Sequence, residues 1–332
     1  MRLYTRLADV PPSPHGRLVT VGTFDGVHRG HQALLRRLRE LSALHRLPAC
    51  VVTFEPHPQQ VLGNTPLPGI LTPLPEKLER LRRLGPDEVL VLPFTQELAR
   101  TEPETFIRQY LVEALHMRGI LVGYDHRFGH NRRGDRELLQ RLGTEFGFFV
   151  EHFPPCLSGN EPISSSRIRR LLLEGNVEAA AVLLGYPYTV CGRVVRGDGR
   201  GRLLGFPTAN IVPDSPEKLL PAYGVYIATT EIGSKSYGGL LSYGVRPTFG
   251  QNLPPQLELY VLDFSGTLYN ERLCVSFWKR VRAEEAFPTA AALRRQMQAD
   301  EAYCRQWLAQ HRPLEAGLTS SCVLNADQGT ES

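Results

Sequence analysis

Apolar residues in the first half of the chain fall into two alternating kinds of run. The segments 18–21, 49–54, 88–92, 119–123 and 148–151 are short and nearly continuous, as in Leu18-Val19-Thr20-Val21 and Glu88-Val89-Leu90-Val91-Leu92. Runs of that length and make-up predict buried strands. Between them apolar positions recur three and four residues apart: Leu34, Leu35, Leu38 and Leu41 after a start near His31, then segments 76–84, 104–117 and 137–146. That spacing predicts amphipathic helices. Buried strands separated by such helices predict a parallel, doubly wound α/β sheet, with ligands beyond the carboxyl ends of its strands.

From about Tyr186 the texture changes. Short β-type segments at 189–195, 224–229, 236–243, 257–264 and 273–278 are divided by turns rich in Gly, Pro and Asn. This pattern predicts a small antiparallel β-barrel, followed by a terminal helix from Thr289 to about Gln310. The last twenty residues are polar and small, which predicts disorder. The expected division is 1–185, 186–312 and a tail 313–332. No internal repeat is present.

Composition narrows the class. The 332 residues suit two domains, and 42% hydrophobic content is enough for packed cores. No apolar run approaches the ~18 residues of a membrane span, and the N-terminus lacks a signal-peptide core. The six cysteines are scattered with no Cys-x-x-Cys pair. That argues against a zinc ribbon or a disulfide scaffold and leads to the expectation of a reducing cytoplasm. A net charge of +4 does not demand a nucleic-acid partner. Nearly all the positive charge is arginine, the lysines being Lys77, Lys218, Lys235 and Lys279.

The densest motif in the first half is Gly22-Thr23-Phe24-Asp25-Gly26-Val27-His28-Arg29-Gly30-His31, directly after an apolar strand. A glycine-rich turn feeding a helix N-terminus is an anion site, because free N–H groups and the positive dipole end point at the ligand. Two imidazoles three residues apart can donate hydrogen bonds to phosphate oxygens without a buried permanent charge. Taken alone, His-x-x-His is more often a pair of ordinary turn residues; the whole string is far more specific. A metal reading is weaker, since no third ligand stands at zinc-like spacing.

Three segments support nucleotide chemistry. Thr53-Phe54-Glu55-Pro56-His57-Pro58 follows a strand, as does the glycine-rich, basic stretch 123–135, in which Arg132-Arg133 read alone as a solvated pair. Ser164-Ser165-Ser166-Arg167 opens a helix, either as a plain N-cap or as a phosphate cradle with Arg167 as clamp. No P-loop string is present. In the second half, 197–211 carries alternating glycines up to Phe206-Pro207-Thr208-Ala209-Asn210-Ile211. It follows a strand but opens no helix, so a dinucleotide fingerprint fails its context test. A glycine-rich flap followed by Thr-x-Asn can bind phosphate through backbone N–H groups and Mg²⁺ through two side-chain oxygens.

The first string resembles the nucleotidylyltransferase signature. Its order with Ile-Ser-Ser-x-Arg-Ile-Arg and Gly-x-x-Leu-Gly-Phe-Pro-Thr-Ala-Asn resembles the bacterial bifunctional riboflavin kinase/FAD synthetase family, from about Val19 to His311. The resemblance implies a Rossmann-like nucleotidylyltransferase domain (1–185) and a riboflavin kinase barrel (186–312). The barrel would convert riboflavin and ATP to FMN and ADP; the first domain would convert FMN and ATP to FAD and pyrophosphate, both with Mg²⁺.

By the same resemblance His28 and His31 are catalytic in adenylyl transfer, and Gly22, Phe24, Asp25, Gly30, Asp125, Ser164, Ser165 and Arg167 bind ATP. In the kinase Glu258 is the base toward the ribityl 5′-hydroxyl, Thr208 and Asn210 hold Mg²⁺, and Gly199, Gly201, Arg202, Gly205, Pro207 and Arg282 bind ATP and flavin. A lone strand glutamate is more often a solvated face residue; its place in the matched string reverses that reading.

Departures from the family pattern are His126, Ser242 and Asn270. The expected partners are small molecules, with no nucleic acid and no membrane; a homo-oligomer is compatible with the sequence. Two other readings stay open: a non-catalytic, flavin-binding barrel beside a lone adenylyltransferase, and a weaker one, a nucleic-acid-binding barrel, disfavoured by the lack of an aromatic-basic stripe.

Overall fold

A computed structural model describes residues 1–63, 67–124, 127–130, 133–199, 201–202, 205–245, 255–311 and 313. The chain forms two compact units. One comprises Met1–Gly185 with Ser215–Pro221, the other Tyr186–Asp214 with the chain from Ala222 onward.

The first unit is built on strands β1 (Arg2–Tyr4), β2 (Arg17–Val21), β3 (Ala49–Glu55), β4 (Glu88–Pro93), β5 (Met117–Gly123) and β6 (Phe149–Phe153). All pair in parallel, in the order β1-β4-β3-β2-β5-β6. Helices α1 (Arg29–His45), α2 (Pro58–Leu62), α3 (Leu74–Leu84), α4 (Gln96–Ala99) and α5 (Pro103–Thr105, continued as a π-helix over Phe106–Ala114) precede β5. Helix α6 (Arg136–Phe146) precedes β6, and a short hairpin, β7 (Leu157–Ser158) and β8 (Glu161–Pro162), leads to α7 (Ser165–Leu173) and α8 (Val177–Leu184).

Continuous apolar strands require cover on both faces. Leu34, Leu35, Leu38 and Leu41 of α1 cover Leu18, Val51, Val89 and Leu121 on one face. Phe106, Ile107, Leu111, Leu139 and Leu142 cover Val19, Val52, Leu90 and Ile120 on the other. The chain runs outward from β2 through β3 to β4, then returns to place β5 on the opposite side of β2. The switch point therefore lies between β2 and β5, and the loops leaving both open at the carboxyl edge where such sheets bind ligands.

The second unit is a closed antiparallel barrel of β9 (Tyr188–Val195), β10 (Thr208–Pro213), β11 (Gly224–Ile232), β12 (Lys235–Gly244), β13 (Gln256–Val261) and β14 (Arg272–Arg282), in the order β10-β13-β12-β11-β14-β9. The rings of Tyr188, Tyr226 and Phe277 meet in its buried interior. Helix α9 (Ala290–His311) packs outside, where Cys304, Trp307 and Leu308 meet Val225, Ile227 and Leu240.

Several expectations shift. The helix expected over 104–117 ends at Ala114, because His116 takes a left-handed conformation (φ 53°) and Met117 already opens β5. Helix α1 starts at Arg29 rather than His31, since His28 caps it. The flap expected to open no helix makes a helical turn at Gly201 and Arg202, closed by Phe206 N donating to Gly201 O (2.8 Å), before β10 begins at Thr208. The scatter of cysteines also hides a pair: Cys191 and Cys274, 83 residues apart, face each other across β9 and β14 and are disulfide-bonded. The tail beyond 313 lies outside the described residues.

Candidate active sites

The loop from Gly22 to His28 leaves β2 through backbone that ordinary residues avoid. Phe24 (φ 49°), Gly26 (82°) and Val27 (33°) all sit at positive φ. For a β-branched residue such a conformation costs of order 1–3 kcal/mol and persists only where the surroundings impose it. Here the surroundings centre on Asp25, which is fully buried. Its Oδ1 accepts from Thr72 N (2.9 Å) and Thr72 Oγ1 (3.3 Å); its Oδ2 accepts from Leu71 N (3.1 Å) and pairs with the buried Arg169. Gly26 N donates to Thr72 Oγ1 (2.8 Å), and Ser165 Oγ donates to the Asp25 carbonyl (2.8 Å). One carboxylate thus ties the β2–α1 loop, the 69–72 segment and the start of α7 together. With no accessible surface, Asp25 shapes the loop.

His28 and His31 stand at the mouth so formed. His28 is the N-cap of α1, its Nδ1 accepting from His31 N (3.4 Å). The two rings stack, 3.7 Å apart and 17° from parallel, and Phe24 meets His31 edge-on at 5.1 Å. A Cβ on Gly30 would crowd the His28 ring at 3.2 Å, and one on Gly22 would crowd Phe24 at 3.1 Å, so both glycines make room. Phe24 itself is buried, with its ring against His31.

The imidazoles are neutral. Burial pushes His28 down to about 4, against partial opposition from Asp25. Burial, then the proximity of His28 and Lys77, pushes His31 well below its usual range. His57, N-cap of α2 through Nδ1, is likewise pushed down to about 4, chiefly by burial. An unfolded imidazole protonates near 6.5, so below that pH the unfolded state binds more protons than the folded one. Their contribution is fully present above pH 6.5 and is lost as pH falls toward 4. We expect the thermal midpoint of the first unit to fall across that window, and His28→Asn, which keeps a good N-cap without a titrating ring, to make the fall shallower. A pH series of thermal melts checks this.

Ser164 is the N-cap of α7, accepting from Arg167 N (3.3 Å). The Arg167 guanidinium is engaged by Glu161 Oε2 (3.1 Å) and by the Ser158 and Glu161 carbonyls, holding the β7–β8 hairpin beside α7. Lys77 was not among the expected residues; it is buried on α3, its Nζ donates to Phe54 O (3.5 Å), and its ammonium reaches both Asp25 and His31 electrostatically. Asp125 and His126 lie outside the described residues. Beyond the ends of β5 and β6, a cavity of about 520 Å³ is lined by Gly123, Tyr124, Arg127, Asp135 and His152, among others.

In the second unit the site is on the barrel's outer face. Strand β13 alternates: Leu257, Leu259 and Val261 are buried, while Glu258 and Tyr260 face out. Cross-strand register places Asn210, Glu258, Ser242, Val225 and Arg282 as successive neighbours across β10, β13, β12, β11 and β14. Thr208 Oγ1 donates to Glu258 Oε2 (3.1 Å). A cavity of about 220 Å³ lies over this belt, walled by Gly197, Gly199, Gly201 and Phe206 of the flap and by Leu293, Met297 and Asp300 of α9.

The flap's glycines have different tasks. A Cβ on Gly197 would collide with the Asn210 amide, and one on Gly201 with the Phe206 carbonyl, so these lie close against the belt. Gly199 (φ 71°) and Gly205 (φ 89°) supply left-handed turns instead. Arg202 and Pro207 line the cavity. Arg282 donates to Asp300 Oδ2 (2.9 Å) and lies 5.5 Å from the Phe287 ring centre. Gln296 Nε2 donates to Asp300 Oδ1 (2.8 Å), so the buried Asp300 holds Arg282 at the cavity wall. Asn270 takes a left-handed conformation (φ 66°) that Asn tolerates better than most residues. Ser242 lies between Glu258 and Val225 without disturbing the belt.

Comparison with known proteins also divides the chain in two, near residue 184, with 215–221 falling in the second match although the structure places it in the first unit. The FAD synthetase family model matches residues 10–167 and the riboflavin kinase model residues 184–308. Bifunctional riboflavin kinase/FMN adenylyltransferase of Escherichia coli K12 is 37% identical over 315 residues, 94% of this chain and all of that protein. The Pseudomonas fluorescens protein of the same name is 37% identical over 305 residues, covering 92% of this chain and 97% of its own length. A crystal structure described as a macrolide-efflux protein from Streptococcus pneumoniae aligns with a TM-score of 0.81 at 32% identity, over 92% of this chain and 98% of that one. Among the described residues no helix is long and apolar enough to cross a membrane.

Proposed function

The chain belongs to the bifunctional riboflavin kinase/FMN adenylyltransferase family, and from that premise we propose that its barrel phosphorylates riboflavin to FMN and that its first unit adenylylates FMN to FAD. The observation that carries the reading is the presence of two separately built sites, each with the donor set its reaction needs. Glu258 faces a cavity beside Thr208 and Asn210, and two neutral imidazoles stand at the N-terminus of α1.

In the kinase reaction the Glu258 carboxylate accepts the proton of the flavin's primary ribityl hydroxyl as that oxygen attacks the γ-phosphorus of ATP, the bond from that phosphorus to the β,γ-bridging oxygen breaks and ADP leaves. The Thr208 hydroxyl bond holds the carboxylate in place. The flap's backbone N–H groups lie over the phosphates, and Arg282, held by Asp300, faces developing negative charge. Thr208, Asn210 and Glu258 together offer side-chain oxygens, the donor type Mg²⁺ takes, and we assign Thr208 and Asn210 as its protein ligands. When bound, Mg²⁺ would neutralise charge on the terminal phosphates.

In adenylyl transfer the FMN phosphate attacks the α-phosphorus of ATP and pyrophosphate leaves. Positioning and electrostatic stabilisation carry such a reaction without a covalent enzyme intermediate. Neutral His28 and His31, with the positive N-terminal end of α1 and Ser164 at α7, face the phosphates; Arg167 joins them by exchanging Glu161 for a phosphate oxygen.

Labelling tests the division of labour. With riboflavin as substrate, label in the γ-phosphate of ATP is expected to enter FMN, and label in the α-phosphate to enter only FAD and AMP-containing species. Label from the α-phosphate in FMN, or none from the γ-phosphate, would overturn the reading. At the kinase site, Asp300→Asn removes the charge that holds Arg282. It is expected to lower FMN formation about tenfold, the worth of one charge-assisted hydrogen bond, and to leave FAD formation from supplied FMN unchanged.

A further inference from the structure

Lys218 is a buried cation that neither reaction as described uses. It lies in the stretch matched by the riboflavin kinase model, yet Ser215–Pro221 belongs to the first unit. There the segment runs alongside residues 69–72: Ile70 N donates to Glu217 O (2.7 Å) and Leu219 N to Ile70 O (2.9 Å). The approach is close enough that a Cβ on Gly69 would stand 2.7 Å from Leu219 Cα. The Lys218 side chain is 2% exposed; Nζ donates to the Leu71 carbonyl (2.7 Å) and pairs with Glu76 Oε2 of α3 (2.5 Å).

The strand of residues so gripped is the one that grips Asp25. Leu71 N and Thr72 N donate to the Asp25 carboxylate, Thr72 Oγ1 accepts from Gly26 N, and Gly69 O accepts from Arg169 Nε (3.0 Å). A continuous run of hydrogen bonds therefore leads from Lys218 through Leu71 and Asp25 to Gly26, two residues before His28. Lys218 holds the 69–72 segment from one side, and Asp25 and Arg169 hold it from the other.

We propose that Lys218 is a positioning residue for adenylyl transfer: a lysine from the kinase-matched stretch fixes the 69–72 segment, and through Asp25 the loop that presents His28 and His31 to ATP. This rests on adenylyl transfer taking place in the first unit. A purely stabilising ion pair would predict something different. Replacing both partners of such a pair by apolar side chains of similar volume is often neutral for stability, whereas removing one leaves the other buried and uncompensated.

The test compares the full chain with Lys218→Met and with Lys218→Met/Glu76→Met, measuring FMN adenylylation, riboflavin phosphorylation and thermal midpoint on the same preparations. The expected result is a rise of about tenfold in the KM for ATP in adenylylation in both variants, the scale of one lost hydrogen bond to a charged group. Riboflavin phosphorylation stays unchanged, and the double variant melts closer to the parent than the single one does. Parental adenylylation kinetics in a stable double variant would overturn the positioning role, as would an equal loss of both activities. An unaltered chain that makes no FAD from FMN would instead overturn the assignment on which the inference rests.

Discussion

Glu258→Gln is expected to lower FMN formation by about a hundred- to ten-thousandfold, the range that a positioned general base contributes, and to leave FAD formation from supplied FMN at the parental rate. The substitution is nearly isosteric, keeps an acceptor for the Thr208 hydroxyl and lies on the outer face of β13, opposite the buried Leu257 and Leu259 that carry the packing. The barrel should therefore fold as before. What is lost is the capacity to take a proton from the attacking hydroxyl. Separate assays of riboflavin phosphorylation and FMN adenylylation check it; equal loss of both activities would contradict two independent sites.

His31→Ala is expected to do the reverse: FAD formation from FMN falls by about a hundred- to a thousandfold, the effect of removing one preorganised donor to developing charge, while riboflavin phosphorylation is spared. His31 is the cleaner target of the pair. Replacing His28 would also remove the cap of α1, at a cost of about 1 kcal/mol, whereas the His31 backbone N–H that the cap receives survives truncation to Ala. The same two assays, each run at saturating ATP, give the measurement. An unchanged rate of FAD formation would remove His31 from the mechanism.

Much of this organisation is legible in the chain itself, for reasons that differ by element. The parallel sheet follows from strands such as Val89–Leu92, whose unbroken apolar run only makes sense with both faces covered. Five of the six barrel strands follow from alternation. Strand β10 does not, because Thr208 to Pro213 reads as the end of a glycine-rich flap rather than as a run of its own. Strand β1, three residues paired with β4, is too short to carry a period.

The site residues divide similarly. Those in contiguous strings, such as His28, His31, Thr208 and Asn210, can be found by reading along the sequence. Those that act through long-range contacts cannot. Lys77 reaches Asp25 and His31 from α3, Asp300 meets Arg282 from α9, and Lys218 reaches the 69–72 segment across some 150 residues of chain. They share no local signal: each is a single charged residue in an otherwise ordinary stretch, and only the fold brings it to its partner. Asp25 sits in the signature string and so reads as a ligand contact; its loop-shaping bonds to the buried Leu71, Thr72 and Arg169 come from distant stretches that the string does not announce.

The central claim, two sequential flavin reactions in one chain, is tested most directly by incubating the protein with riboflavin, ATP and Mg²⁺ and resolving the flavins chromatographically over time. The account predicts that FMN rises first and FAD follows at its expense. A chain that forms FAD from supplied FMN but never converts riboflavin to FMN would contradict it, leaving the barrel a flavin-binding module beside a lone adenylyltransferase.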